Sequence, residues 1–343
     1  MKLLKSAVLA ICLTQPVISF AQAKSTDAFV CAKMPSPVIT LDHGSRYIAK
    51  DDSRSKFDTE SNADVNAQLA PVDDFISALS QAANHALTSD EDQQLAADCV
   101  ITGLAAWARV NALSELGTMN AQLSAPSRIA GLAFAYAQVR PLLAQSTETV
   151  LIEAWLKARA VATMLYFDTD APKNASRNNL RAWAALAVAR IGLTVQDDIM
   201  LSWADASVRL VVCDVAADGS LPLEMRRKEL ALHYQLHSVA PLVITAALLQ
   251  AAGHDLFMAC DRAIHRTVAF VLNAFDDPEL AKAISGYDQT YFSGKDDLRG
   301  FEMAWASAYL SLFYSPALTG FTEKFGDLGN SKLGGRQSLL WGM

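Results

Sequence analysis

After residue 72 the chain is dominated by long apolar stretches, rich in Ala and Leu, that are interrupted by shorter polar ones. Their length and composition suit helix rather than strand, and the pattern predicts helices at 73–87, 91–116, 127–143, 148–167, 180–191, 195–212, 228–252, 256–275 and 302–314. No region alternates apolar and polar residues with the period of a half-buried strand. Stretches such as 104–108 and 239–251 are apolar on nearly all sides, so the helices that carry them must pack on several sides at once. Short polar connections make successive helices antiparallel hairpins. Such hairpins stack into a solenoid or close into a toroid, and with no strict repeat in the sequence, periodicity does not choose between the two.

Four polar segments, 35–63, 168–179, 214–227 and 276–300, break the helical pattern. Functional groups commonly sit on such loops and on the helix ends beside them. Before residue 35 the order is different. Lys2 and Lys5 precede an apolar run at 7–13, and Ala21-Gln22-Ala23 offers small residues for cleavage. This order is that of a secretory signal peptide over 1–23, leaving a single domain at 24–343 in the periplasm. No later stretch has the uninterrupted apolar length of a membrane span, so no membrane attachment is expected once the signal is removed, and a monomer is expected.

Composition narrows the chemistry. Of 343 residues, 52% are hydrophobic and 19% charged, enough apolar surface for a sizeable core. The net charge is −7, and loss of Lys2 and Lys5 takes it to −9. A chain this acidic is not built for nucleic acid, and any polyanion must be met by a local basic patch. Cys12 leaves with the signal. Cys31, Cys99, Cys213 and Cys260 remain, allowing three full disulfide pairings in an oxidising compartment, or free buried thiols. No C-x-x-C spacing points to zinc or redox chemistry.

Two constellations carry candidate chemistry. In Arg177-Asn178-Asn179-Leu180-Arg181-Ala182-Trp183, paired Asn residues stand where a helix N-cap belongs. They serve as caps, or they offer amide donors beside a helix N-terminus to hold a carboxylate. In the segment 221–234, Arg227 and Tyr234 are seven apart, which on a helix places them on one face. His233 lies about 100° round from Tyr234. A guanidinium binds a carboxylate in a fork, and a Tyr whose pKa is lowered by that charge can move a proton. His233 and His237 have an i, i+4 spacing that is a weak metal signal without an H-E-x-x-H pattern.

Several separated pieces, in order from Cys31 onward, resemble the alginate lyase family (poly-β-D-mannuronate lyases, polysaccharide lyase family 5). Ser45-Arg46-Tyr47 with Ser53 and Arg54 resembles the family's S-K-Y and S-x-R segments, Arg46 standing where the family has a substrate-binding Lys. Ala106-Trp107-Ala108-Arg109 matches a core A-W-A-R stretch. Asn178-Asn179 and Trp183 match the family's N-N-H-x-x-W motif. Gly219 to Glu224, with Arg227 and Tyr234, matches G-x-L-P-x-E and the Arg and Tyr that follow it. Lys332-Leu333-Gly334-Gly335 resembles R-L-G-G. The family's His after the two Asn is Leu180 here, which leaves its role to the neighbouring Arg181 or to His233.

The resemblance implies an all-α fold, an incomplete α/α toroid of antiparallel helical hairpins. It implies β-elimination on a 4-linked uronic-acid polymer, mannuronan or a related glucuronan. Asn179 and Arg227 would neutralise the substrate carboxylate, Tyr234 would move the proton, and His233 would assist or act as base. Arg46, Tyr47, Arg54, Asn178, Arg181, Trp183 and Lys332 would contact the anionic polysaccharide. This chemistry requires no metal and no organic cofactor. The missing His motivates an alternative, a catalytically impaired polyuronate-binding protein on the same scaffold.

Overall fold

The computed structural model describes residues 29–290 and 298–342. The signal segment lies outside them, as does 291–297 in the last polar loop.

The helices run α1 (Thr59–Thr88), α2 (Gln93–Arg109), α3 (Met119–Val139), α4 (Thr147–Thr169), α5 (Asn179–Val195), α6 (Asp198–Val212), α7 (Pro222–Met225), α8 (Ala231–Gln250), α9 (Ala259–Asp276), α10 (Glu279–Ser285), α11 (Trp305–Leu312), α12 (Pro316–Thr322) and α13 (Gln337–Trp341). Two strand pairs are minor. β1 (Thr40–Leu41) lies parallel to β2 (Glu115–Leu116), and β3 (Gly329–Asn330) is antiparallel to β4 (Gly335–Arg336).

The boundaries follow local chemistry. α1 begins fourteen residues before the predicted 73, because its first turns are polar and its start is set by Asp58, which caps Ser61 N–H. α2 stops at Arg109, and the apolar Leu116 beyond it pairs in a strand instead. Ser146 and Thr149 form a capping box at the head of α4.

Contacts among helices define two layers. α1, α3, α5, α8 and α11 pack each on the next as an inner ring, and α2, α4, α6 and α9 cover it from outside. α5 touches α3, α4, α6 and α8, and this is why its sequence is apolar all round. Lys228–Gln250, which contains α8, is long and apolar enough to cross a membrane, but 78% of that apolar window is buried inside the fold. The ring is incomplete. On the side between α11 and α1 the C-terminal segment fills the gap, with α13 against α11, β4 against α1, and the turn at 331–333 against α1 and α3. Two disulfides tie loops to this frame, Cys31–Cys99 and Cys213–Cys260. One of the three possible pairings is therefore selected.

Gly131 on α3 is what lets the C-terminal turn approach. A Cβ there would lie 2.6 Å from Ile76 Cγ2 and 3.2 Å from both Lys332 Cα and the Ser331 carbonyl oxygen. Two of these neighbours are backbone and cannot swing aside. Gly131→Ala is therefore expected to destabilise the fold by about 1–3 kcal/mol through overpacking, measured as a lower urea midpoint with unchanged m-value.

Candidate functional site

The inner helices and the segment 43–57 enclose a cleft of about 610 Å³. Its lining gathers cations from four separate parts of the chain. Arg46 and Arg54 come from the N-terminal segment, Arg128 from α3, Arg227 from the turn after α7, and Lys332 from the C-terminal turn. The single carboxylate among the described lining residues is Asp73 of α1. In a chain of net charge −7 this is a strong local reversal of sign, and it focuses anions into the cleft.

Asp73 is the brace of this patch. One of its oxygens accepts from Arg128 at 2.7 Å and the other pairs with Lys332 at 3.3 Å. Burial lowers the Lys332 ammonium to about 8, Arg128 adds to that, and Asp73 pulls it back. Arg46 reaches Asn62 at 3.4 Å. His43, whose Nε2 lies 2.9 Å from Ser124 Oγ, also faces the cleft.

The segment over the cleft is shaped by Asp51. Its carboxylate accepts from the backbone N–H groups of Ser55 at 2.7 Å and Lys56 at 2.8 Å, and from Ser53. Against a burial cost, these bonds hold its pKa below the usual range. The resulting turn pairs Tyr47 with Phe57 and lowers two groups onto the cleft floor. The Tyr47 hydroxyl meets the Tyr234 hydroxyl, and the Arg54 carbonyl accepts from Arg227 Nη2.

Arg227 and Tyr234 are close, though not as two positions on one helix. A turn and a short 3₁₀ stretch at Lys228–Leu230 separate them, and α8 begins only at Ala231. The folded-back chain sets the guanidinium Cζ 3.5 Å from the centroid of the Tyr234 ring, a cation–π contact in a dry site. Arg227 Nε is buried with no hydrogen-bond partner. The expectation that this charge lowers the Tyr234 pKa is corrected by the structure. Burial raises it, Tyr47 adds to the rise, and the pull of Arg227 does not offset them, so Tyr234 rests as the neutral phenol.

His233 and His237 stack on one face of α8, ring centroids 6.0 Å apart, and both line the cleft. Burial, with Arg227 adding to it, lowers His233 to about 4. Burial, then the neighbouring His233, lowers His237 to about 3. Both are neutral imidazoles at pH 7. His237 packs against Trp183 at 5.3 Å, and Trp183 shares its face of α5 with Leu180. Leu180 lines the same cleft as the two imidazoles of α8 and packs against the apolar cluster that includes Leu123 and Phe167. Among the described residues no group of three His, Cys, Asp or Glu side chains converges.

Asn179, at the first turn of α5, lies on the cleft floor. Its backbone N–H donates to Glu224 Oε1 at 2.8 Å, and its Nδ2 donates at 3.0 Å to each oxygen of the same carboxylate. Asn179 and Glu224 are each 1% exposed.

Two expected site residues do not join this group. Asn178 is the N-cap of α5, accepting from Leu180 N–H at 3.0 Å, and it lines a separate pocket of about 460 Å³ on the other side of Glu224. Arg181 is turned away from the cleft and buried. Its guanidinium donates to Ser207 Oγ at 2.9 Å, the Phe167 carbonyl at 2.9 Å and Asp168 at 2.8 Å, and lies over the Trp203 ring. Successive helix positions point about 100° apart, so a neighbour of Asn179 is placed elsewhere by the helix itself. Conversely, Asp73, Arg128 and His43 escape sequence reasoning because only tertiary packing brings them together.

The family model described as alginate lyase matches residues 42–281. A polysaccharide lyase of Stenotrophomonas maltophilia (strain K279a) is 31% identical over 265 residues, covering 73% of this chain and 77% of that protein. An alginate lyase of Pseudomonas aeruginosa (strain PAO1) is 26% identical over 290 residues, covering 82% and 77%. The crystal structure of alginate lyase A1-III from Sphingomonas species A1 superposes with a TM-score of 0.75 at 21% identity, covering 90% of this chain and 86% of that one. A histidine-to-alanine variant of A1-III complexed with a tetrasaccharide superposes with a TM-score of 0.77, covering 90% and 85%.

Arg181→Met leaves two buried acceptors without this donor and Asp168 with Trp203 Nε1 but no cation, and is expected to cost about 2–4 kcal/mol of stability. Urea unfolding measures this, and the cleft residues should keep their arrangement.

Proposed function

The chain belongs to the alginate lyase family and is a polysaccharide lyase, and on that premise we propose that its cationic cleft binds a 4-linked uronic-acid polymer and cleaves it by β-elimination at Tyr234. The observation that carries this assignment is the Arg227 guanidinium seated on the Tyr234 ring in a cleft where five cations face one carboxylate.

The physical need is specific. The proton at C5 of a uronate is poorly acidic, and the adjacent carboxylate opposes further negative charge. A site that removes it must neutralise that carboxylate as charge develops. Arg227 does so through its fixed charge. The proton at C5 and the departing O4 lie on one side of the ring in mannuronate and glucuronate. One phenol therefore serves both. Tyr234, its proton first passed to the neutral His233 and its phenolate held by Arg227, takes the C5 proton and gives it to O4 as the C4–O4 bond breaks, and His233 then returns the first proton to the phenolate. His233, neutral and edge-on to Tyr234 at 4.9 Å, is the imidazole placed to assist.

Arg46, Tyr47, Arg54, Trp183 and Lys332 are the proposed contacts to neighbouring sugars, joined by Arg128. Sugar faces stack on the aromatic rings, and uronate carboxylates meet the cations. The proposed setting is the periplasm, a reading supported by the order of basic, apolar and small residues at 2–23 and by the two disulfides.

Tyr234→Phe keeps the ring under Arg227 and removes only the hydroxyl. Its kcat is expected to fall by about 10²–10⁴ with oligouronate binding retained, measured as loss of the absorbance of the unsaturated product. Turnover that survives this change would remove Tyr234 from the mechanism.

Lys332 sets a pH limit. Its charge is present below about 8 and is lost as pH rises through that value, so KM is expected to climb above about pH 8. Lys332→Arg keeps its charge throughout and should flatten that limb of the KM profile.

A further inference from the structure

The Asn179 amide is held with the wrong end outward for an anion. A carboxylate only accepts hydrogen bonds. While Glu224 is ionised, the amide must turn Nδ2 toward it, as the 3.0 Å contacts to both oxygens show. That leaves Oδ1 as the end turned away from Glu224. This oxygen is buried and has no hydrogen-bond partner. A buried acceptor without a donor is costly, and an incoming uronate carboxylate, itself only an acceptor, repels it. A protonated Glu224 reverses the arrangement. Its O–H donates to Oδ1, its other oxygen still accepts from the Asn179 backbone N–H, and Nδ2 becomes the free end.

Resting on the lyase reading above, we propose that Glu224 takes up one proton from solvent when a uronate carboxylate enters the cleft, and that the Asn179 amide turns over with it. The pair is a proton-linked switch that changes Asn179 from acceptor to donor at the moment a donor is needed. Glu224 is thus a positioning residue, acting on substrate only through Asn179.

The surroundings of Glu224 bias it toward this change. Burial is the main influence and raises its pKa, while the Asn179 donors, Arg227 and Ser238 oppose the rise. On the cleft side α8 contributes the neutral Tyr234, His233 and His237, and the rest of the lining carries His43, Tyr47, Asp73 and Lys332. On the far side Arg226, Lys173 and the Arg177–Asp214 pair line the second pocket, which Glu224 also borders. α5 contributes the positive end of its dipole. Of these, Arg227 is the fixed charge that faces both Glu224 and the cleft. A carboxylate bound by Arg227 cancels its hold on Glu224 and adds a second negative charge nearby, and both effects favour protonation.

Calorimetric titration of the Tyr234→Phe variant with a saturated oligouronate tests this. The titration is run at pH 6.5, where Lys332 is charged, in buffers of different ionisation enthalpy. The slope of heat against buffer enthalpy is expected to show uptake approaching one proton. Adding Glu224→Gln should abolish that uptake and preserve affinity, because the Gln amide donates to Oδ1 and accepts from the Asn179 N–H. Binding without proton uptake overturns the proposal, as does uptake that persists in the Glu224→Gln protein, which assigns the proton to another group of the cleft such as His233, His237, His43 or Asp73. If the double variant does not fold, the pH dependence of Kd in Tyr234→Phe decides. Weakening toward about tenfold per pH unit above the unbound Glu224 pKa supports the switch, and a flat profile overturns it. Absence of any binding by Tyr234→Phe would instead remove the polyuronate reading, and the switch with it.

Discussion

A buried carboxylate joins the two halves of the site. Glu224 accepts from the first residue of α5, and its own carbonyl accepts from the Arg227 N–H at 2.9 Å. One residue therefore fixes the distance between a helix N-terminus and the guanidinium that sits on Tyr234. The stability of a carboxylate at that depth rests on the α5 dipole and three N–H contacts, not on a formal ion pair. The cleft floor keeps its shape because this knot is tied below it, away from the sugar-binding surface.

Burial, more than charge, sets the protonation of the working groups. Tyr234 sits under a guanidinium and still has a raised pKa. His233 and His237 lie among cations, and desolvation is the first cause of their low values. A phenol and two imidazoles are thus all neutral at rest, in a cleft that gathers five cationic side chains around one carboxylate. Substrate brings in the negative charge, and the neutral groups respond to it. Water expelled as the polymer enters strengthens each of those responses.

Much of this was readable before folding was considered. Apolar stretches located the helices because a two-layer ring buries them on several sides, and α5 and α8 carry that signal most strongly. Asn178 announced the start of α5 through its capping chemistry, and the Arg227-to-Tyr234 spacing pointed to a real contact, although a turn rather than a helix makes it. What failed was local adjacency. Arg181 is next to the site in sequence and far from it in function, because one step along a helix turns a side chain by about 100°. Asp73 and Arg128 were invisible for the opposite reason. They are 55 residues apart and meet only when α1 packs on α3.

The closing of the ring by the C-terminal turn has a consequence for how the cleft comes into being. Lys332 reaches Asp73 only because residues 328–337 cross from α11 to α1 and α3. The inner helices α1, α3, α5, α8 and α11 pack on one another without using that clasp. An anion-binding groove then exists in outline, with its brace carboxylate paired to Arg128 alone. The turn at 331–333 therefore belongs to the cleft as much as to the fold, because it adds the cation that shares Asp73 with Arg128.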